Sequence, residues 1–342
     1  MKKIIGILIF VAVPISTILG IISPLTGFNA TGSSNYWQIL AFIAPSISYA
    51  ISVNCFDKKR IIAIINPIYW ITGPFITANA YGISLNKSLN NLLASRYLII
   101  QSLFNIYILA DSLRPFLVLH QKANSVVELL VFAVILEFYV YLNFSGYSML
   151  AGIFLKSCGV PTVKNFKKPF QSATLMEFWS RWHCSFGIIL KEIFYGITKI
   201  YVINIIIVFI MSALWHGVTL NFVAWGAFHA LMFIIANKVK LIRSKAINLI
   251  ILYFTIIVGR AIFSSFNFVQ ITNIWGMSEL FNVYSSISLF KILGGMLAIL
   301  YIFKEILCLK ISRKVKEFVS YGLAISLLIL SDFSTSSFYG MR

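Results

Sequence analysis

The sequence predicts an all-α polytopic membrane protein, and three observations support this fold class. Of the 342 residues, 59% are hydrophobic and only 11% are charged, and the mean hydropathy is +0.89. These values lie far from the averages of soluble domains. Apolar runs long enough to cross a bilayer, which takes about 20 helical residues, recur along the whole chain. Helices satisfy their own backbone polar groups in lipid, so the runs are predicted to be helical.

The apolar runs predict about ten to twelve helical passages, all in a single integral membrane domain over residues 1–342. Residues 145–157 and 185–199 are predicted to be re-entrant or tilted. The first span follows Lys2 and Lys3 without a small-residue cleavage pattern, so we expect it to stay as an anchor. The expected membrane spans lie near residues 3–23, 36–54, 61–80, 97–113, 124–144, 200–215, 218–236, 246–266, 287–309 and 318–335.

The basic residues fall in short clusters between these spans, although the net charge of +18 alone could suggest a nucleic-acid partner. The distribution follows the positive-inside pattern of membrane proteins, so we expect membrane lipids and no nucleic acid as partners. Segments 24–35 and 267–286 carry no Lys or Arg and are predicted to face the outer side. Lys87 and Arg96 are the chief exceptions. The clusters are Lys58, Lys59 and Arg60; Lys164, Lys167 and Lys168; Lys238, Lys240, Arg243 and Lys245; and Lys310, Arg313, Lys314 and Lys316.

Residues 143–184 mix apolar residues with Gly, Pro, Lys and Arg too densely for an ordinary span. Two prolines that flank the lysine cluster predict a loop near the inner interface. The stretch "TLMEFWSRWH" predicts an interfacial helix, in which Glu177 and Arg181 stand four residues apart in the order that favours an ion pair. Trp179 and Trp182 fit the aromatic belt of a membrane interface.

The four cysteines are scattered along the chain without the spacing of metal ligands. Most of them fall on the predicted inner side of the membrane. We therefore expect no metal site and no disulfide framework. The cysteines are Cys55, Cys158, Cys184 and Cys308.

Three of the four histidines lie in two short stretches, "FWSRWHCSFG" and "ALWHGVTLNFVAWGAFHA". The charge pattern places His183 toward the inner side and His216 at the outer end of a span. His229 falls within the next span, where an ionisable group is energetically expensive and is a functional hypothesis by default. For His229 alone, a neutral imidazole bonded to a neighbouring helix is the favoured interpretation. The clustering of the three suggests a shared site.

The residues of these stretches carry a resemblance to a known family. The pattern "FSGYS…P…NF..P……EFWSRWH" followed by "ALWHGVTLNFVAWGAFHAL" resembles the membrane-bound O-acyltransferase (MBOAT) family, in its bacterial branch of alginate O-acetylation and D-alanyl transfer proteins. The similarity is close over about 143–231, and two histidine motifs in this order are highly specific. Outside this core it is weaker and rests on Gly73 and Pro74 in "INPIYWITGPFI".

The resemblance implies a fold of tilted helices around a central tunnel, in the inner (cytoplasmic) membrane. It implies that an acyl group, expected to be acetyl, passes from a cytoplasmic thioester donor to a hydroxyl of a cell-envelope glycan or a partner protein. The expected donor is acetyl-CoA or an acyl carrier protein, with no permanently bound cofactor. A periplasmic or extracellular SGNH-type acyltransferase or esterase is the expected partner.

The family's catalytic histidine maps onto His216, and the histidine of the preceding motif maps onto His183. A neutral imidazole can take the proton of a hydroxyl as it attacks a thioester carbonyl. His183 is expected to orient the donor or to bond the developing oxyanion, a role that asparagine could also fill. The expected donor-binding or substrate-binding residues are Arg181, Trp182, Trp215, Asn221, Lys167 and Lys168. The basic members of this set also fit ordinary anchoring to the inner leaflet.

Departures from the family pattern leave an alternative open. Met149 stands where relatives have Asp, and Lys191 and Glu192 stand where they have Arg and Asp. A catalytically inactive MBOAT-fold scaffold or lipid-binding protein is therefore the second hypothesis. A proton-coupled transporter is disfavoured, because the carboxylates that usually accompany histidines in a proton relay are lacking. Glu137 is the main acidic residue within a predicted span. Cys184 is expected to be an inert buried thiol rather than an acyl relay.

Overall fold

The computed structural model describes residues 95–157, 162–239 and 244–306. In these ranges the chain is helical, with a single isolated bridge between Ser125 and Asn273. The helices are α1 Arg96–Lys122, α2 Val126–Ser157, α3 Leu175–Arg181, α4 Cys184–Phe194, α5 Tyr201–His216, α6 Leu220–Val239, α7 Lys245–Phe263, α8 Ser278–Ser286 and α9 Leu289–Ile306. The predicted spans 3–23, 36–54, 61–80 and 318–335, the motif residues Gly73 and Pro74, and Cys55, Cys158 and Cys308 lie outside the described residues.

The protein is an all-α polytopic membrane protein. Four helices of the described part are long and apolar enough to cross a membrane: Arg96–Lys122, Val126–Ile153, Leu220–Lys238 and Lys245–Phe263. A bent pair, Ser278–Ser286 with Lys291–Ile302, forms a fifth candidate with an angle of 116° between its helices. Large apolar side chains on these helices face outward, among them Ile250, Phe254 and Leu300. Such a surface suits contact with lipid rather than water.

The region after residue 144 differs from the prediction of a separate re-entrant or tilted segment. Residues 145–157 continue α2, which is a single helix of 32 residues. No proline interrupts residues 126–157, so nothing in the sequence forces the helix to end earlier. The other uncertain segment, 185–199, contains the short helix α4. Its 11 residues extend for about 16 Å, which is too short to cross a bilayer.

Helix α1 changes its winding along its length. Residues Asn105–Ala110 form a π-helical turn, and Arg114–Val118 form a 3₁₀ turn with proline at its start. Proline lacks the N–H that an α-helix interior needs, so tighter winding at Pro115 is expected.

Two ion pairs, one buried and one partly buried, connect helices that are far apart in the sequence. Arg260 Nε on α7 lies 2.5 Å from Glu137 Oε2 on α2, and both side chains are at least 87% buried. Lys291 on α9 pairs with Asp111 on α1. Charges buried at membrane depth require partners of this kind.

One end of the bundle, here called the loop end, is formed by residues 119–126, 217–219 and 264–277. Thr272 N donates to Asn124 O at 2.8 Å, and Gln270 Nε2 donates to Ala123 O at 2.7 Å. Helix α6 begins and α7 ends at this end, so their opposite termini, with Lys238 and Lys245, lie far from it. Within the described part, these two lysines and the uncharged 267–277 stretch thus lie at opposite ends, as the charge pattern predicts.

Candidate functional site

The helix predicted from "TLMEFWSRWH" is confirmed as α3. Thr174 caps its N-terminus, since Thr174 Oγ1 accepts a hydrogen bond from Glu177 N at 3.2 Å. Glu177 reaches back to accept from Ala173 N at 2.7 Å. Its other oxygen pairs with Arg181 Nη2 at 2.5 Å, which confirms the predicted ion pair. These contacts resemble a capping box and fix the start of α3.

His183 joins α3 to α4 with an unusual backbone. Its φ of 48° and ψ of 53° are left-handed, and it is the N-cap residue of α4. This conformation costs a non-glycine residue roughly 1–2 kcal/mol. The ring is buried, with Phe144 at 4.7 Å in an edge contact and Phe186 stacked at 5.0 Å between ring centroids. The backbone thus directs this imidazole into an aromatic environment.

His216 ends α5 and lies in a second group of aromatic rings. The ring of Phe263, the last residue of α7, meets it edge-on at 4.9 Å, and Trp215 does so at 4.9 Å. Trp225 and Phe222 on α6 lie at 5.9 Å. The His216 ring therefore lies where α5, α6 and α7 meet, close to the loop end.

Phe186 and Trp215 connect the two histidines. Their ring centroids are 4.7 Å apart, and each lies beside one of the histidine rings. Helices α4 and α5 form a hairpin, so His183 and His216 lie at the same end of it. The charge pattern predicts His183 toward the inner side and His216 at the outer end of a span. The structure shows that the two rings are neighbours through Phe186 and Trp215, and their sides of the membrane stay a prediction.

The electrostatic state of His183 follows from this environment. Burial lowers the pKa of His183 well below its usual range, and the nearby His216 lowers it further. Burial disfavours the imidazolium, and a second histidine would add like-charge repulsion. His183 is therefore a neutral imidazole at physiological pH.

His229 lies on α6 one turn beyond Trp225. Its ring is buried, with Trp225 at 4.8 Å and Trp179 at 5.1 Å. Among the described residues, none bonds the buried Nδ1. The sequence favours an imidazole that is hydrogen-bonded to a neighbouring helix. Within the described ranges, His229 Nδ1 does not make such a bond.

Two glycines let the helices around these histidines approach closely. A Cβ atom added at Gly226 on α6 would lie 2.8 Å from Ala213 Cβ and from Phe209 O on α5. One added at Gly259 on α7 would lie 2.3 Å from His229 Nε2. Real Cβ atoms do not approach other atoms so closely, so a Cβ at position 226 would have to displace the α5 backbone and one at position 259 would have to displace the His229 ring.

The remaining predicted site residues are placed less centrally. Lys167 and Lys168 are exposed, and the Arg181 side chain is 31% exposed in its pair with Glu177. Trp182 is buried in an aromatic core, stacked on Phe178 at 5.4 Å. This core, rather than the membrane interface, is its environment.

Asn221 has a bridging position between two helices. Its Nδ2 donates to Phe263 O at 3.0 Å and so satisfies a carbonyl at the end of α7. Phe263 in turn packs against His216. Asn221 therefore supports the wall of the His216 environment. Of the predicted residues, the structure brings His183, His216 and Trp215 together most directly.

Several residues near the histidines were missed by reasoning from sequence. Phe186 and Phe263 supply ring contacts, and the Glu137–Arg260 pair lies next to them, with Arg260 5.3 Å from the Phe263 ring. Asn165, within the motif segment "NF", bonds the start of α4. Only Asn165 had a local signal, its place in the motif. The others depend on helix packing.

The thiol of Cys184 is buried and donates to Ser180 O at 3.2 Å. Burial raises the pKa of Cys184, although Lys167, Lys191 and Lys164 act in the opposite direction. A thiol with a raised pKa is a poor nucleophile, which is in line with the expected inert role. In the part of the chain that the structure describes, no group of three or more His, Cys, Asp or Glu residues is arranged to hold a metal ion.

Comparison with known proteins finds several similar proteins. The chain is 30% identical over 140 residues to the probable alginate O-acetylase AlgI of Pseudomonas syringae, covering 37% of this chain and 27% of that protein. It is 30% identical over 129 residues to the teichoic acid D-alanyltransferase of Streptococcus thermophilus, covering 32% and 30%. It is 30% identical over 173 residues to the peptidoglycan O-acetyltransferase of Helicobacter pylori, covering 48% and 30%.

These similarities cover part of each chain. The matched region spans less than a third of the length of each of these three relatives. No family model matches the chain. The resemblance to the bacterial branch of the membrane-bound O-acyltransferase family is nevertheless confirmed, because the similar proteins are members of that family.

Proposed function

We propose that this protein is an O-acyltransferase of the cell envelope. It moves an acyl group from a thioester donor to a hydroxyl of an envelope glycan or a partner protein. The proposed acyl group is acetyl. The observation that carries the proposal is the connection of His183 to His216 through Phe186 and Trp215, among helices apolar enough to cross a membrane. The names of the similar proteins, which join acyl transfer to envelope polymers, support the same class of reaction.

In the proposed reaction, His216 is the general base. Its neutral imidazole accepts the hydroxyl proton while the hydroxyl oxygen bonds to the thioester carbonyl carbon. The resulting tetrahedral oxyanion collapses and breaks the C–S bond, and the leaving sulfur takes the proton from the imidazolium. The products are an ester and a free thiol. Proton transfer of this kind contributes about 10²- to 10⁴-fold to the rate.

His183 supports this step as a neutral hydrogen-bonding group. Because burial and the proximity of His216 hold its pKa low, it carries no charge at pH 7. A neutral N–H can donate to the carbonyl oxygen as negative charge develops there. The surrounding rings of Phe144 and Phe186 limit access of water, which strengthens such a bond.

The donor is proposed to approach from the cytoplasmic side of the inner membrane, as acetyl-CoA or an acyl carrier protein. The exposed Lys167 and Lys168 can attract the donor's phosphate groups. Arg181 contributes less, since Glu177 occupies part of its guanidinium group. A partner enzyme of SGNH type on the outer side would complete transfer to the final acceptor.

The test measures acetyl content of surface glycans in a deletion strain. The strain is complemented with wild type, His216→Gln, His183→Ala or His120→Ala, at equal amounts in the membrane. Glutamine keeps hydrogen-bonding capacity at position 216 but is not a base at neutral pH. His120 is the matched control, because its Nε2 bonds Ser264 O at 2.7 Å outside the proposed reaction.

Wild type and His120→Ala are expected to restore acetylation, whereas His216→Gln is not. His183→Ala is expected to restore only a small part. If His216→Gln restores acetylation as fully as wild type, the proposed base is wrong. A scaffold or lipid-binding protein then becomes the better account, with Met149, Lys191 and Glu192 as its sequence support.

A further inference from the structure

The backbone at His183 needs support from outside its own helix. Its left-handed conformation precedes α4, where the chain turns from α3 into a new direction. A non-glycine residue keeps such a conformation only where the surrounding structure holds it. The contacts on either side of His183 therefore determine where its ring lies.

Asn165 makes these contacts on the C-terminal side of His183. Its Oδ1 accepts from Ser185 N at 2.9 Å and from Ser185 Oγ at 2.7 Å. Its backbone oxygen accepts from Cys184 N at 3.0 Å. These three donor groups belong to Cys184 and Ser185, the first two residues of α4, whose N–H groups have no partner inside the helix.

The same segment also holds the N-terminal side of His183. Lys167 N donates to Arg181 O at 2.9 Å, two residues before the histidine. Residues 165–167 thus bracket His183 from both sides. Asn165 is 4% exposed and Ser185 is fully buried, so water does not readily replace the bonds of the asparagine side chain.

We propose that Asn165 is a positioning residue that holds His183 in its left-handed conformation and keeps its ring between Phe144 and Phe186. The proposal rests on the function proposed above, in which His183 faces the reacting carbonyl. Asn165 acts through the backbone and need not touch the substrate. Loss of its side chain lets the 183–185 turn open while the long helices stay packed.

The test is chemical labelling of histidines in the full-length protein reconstituted in lipid. Diethyl pyrocarbonate modifies accessible neutral imidazoles, and mass spectrometry gives the rate at each histidine. The variants are Asn165→Ala and Asn165→Asp, since aspartate keeps the accepting oxygens. The control is Asn204→Ala, because Asn204 is equally buried and its Oδ1 accepts from Thr198 N at 3.0 Å at the far end of the α4–α5 hairpin.

In Asn165→Ala, diethyl pyrocarbonate is expected to modify His183 about tenfold faster than in wild type. This ratio of rates corresponds to a loss of ~1.4 kcal/mol in the free energy of local opening. His229, which is equally buried, should keep its slow rate and so report that the helix packing is intact. Asn165→Asp and Asn204→Ala should leave His183 protected.

Unchanged labelling of His183 in Asn165→Ala would overturn the proposal. So would equal labelling in Asn204→Ala, or a parallel rise at His229, since either result indicates general loosening. The labelling is independent of turnover. It therefore stays informative if His216→Gln proves active, and the two proposals can fail separately.

Discussion

The rings of Phe186 and Trp215 lie 4.7 Å apart and form the contact through which the two motif histidines become neighbours. Phe186 stacks on His183, and Trp215 meets His216 edge-on. The contact closes the α4–α5 hairpin at the end that carries both imidazoles. A reaction that uses both side chains depends on this packing.

Replacement of the aromatic ring at position 186 by an aliphatic side chain tests this dependence. Phe186→Leu retains an apolar side chain but removes the stacking surface under His183. We expect the rate of acyl transfer to fall by about 10- to 100-fold, because a shift of a reacting side chain by about 1 Å has effects of this order. The measurement is acetyl content at equal membrane levels. Phe254→Leu, which alters a 52% exposed ring on α7, is the control and should retain activity.

The Glu137–Arg260 pair is expected to stabilise the packing of α2 against α7. Removal of either partner leaves a buried charge, so Glu137→Ala and Arg260→Ala should each lower stability by about 3–5 kcal/mol. The double variant should lose much less than the sum of both losses, because no charge is left unpaired. Denaturation of the purified protein in detergent measures this coupling. Additive losses would show that the two side chains do not stabilise each other.

Close packing of α5 against α6 can be tested at a single glycine. Gly226→Ala places a methyl group against Ala213 and Phe209, and overpacking of this kind costs about 1–3 kcal/mol. Gly187→Ala is the matched control, since its added Cβ has no atom within 4 Å. Alanine there should be neutral or stabilise by up to about 1 kcal/mol. Equal thermal stability of the two variants would contradict the close approach of the helices.

The lowered pKa of His183 predicts a pH dependence of stability. The folded state resists protonation of this ring, whereas the unfolded chain takes up a proton near pH 6.5. Stability should therefore be full above about pH 6.5 and decrease as the pH falls toward the folded-state value. His183→Asn, which cannot titrate, should flatten this part of the curve. The measurement is the free energy of unfolding of wild type and of His183→Asn between pH 8 and about pH 5. If the two free energies differ by the same amount at every pH, a neutral buried His183 is contradicted.

Features that depend on neighbouring residues could be predicted from the sequence. The apolar runs predict spans near 200–215, 218–236 and 246–266, and the observed helices are 201–216, 220–239 and 245–263. The Glu177–Arg181 pair follows from a spacing of four residues. Such features arise within one helix, so they do not require knowledge of packing.

Features that depend on tertiary contacts could not be predicted in the same way. Glu137 and Arg260 are 123 residues apart, and only the packing of α2 against α7 brings them together. The left-handed turn at His183 is followed by hydrogen bonds from Cys184 and Ser185 to Asn165, which is 18 residues before His183 in the sequence. The proximity of His183 and His216 likewise depends on the turn after α4 at residue 195, which brings Phe186 against Trp215.

The measurement that tests the central claim most directly is acyl transfer in isolated membranes. Membranes with equal amounts of wild type or His216→Gln receive radiolabelled acetyl-CoA, and both free thiol and label in envelope polymer are followed. If His216 is the general base, wild type releases thiol and transfers label together, while His216→Gln is slower by about 10²- to 10⁴-fold. Equal rates in the two membranes would contradict the assignment of His216 as the base.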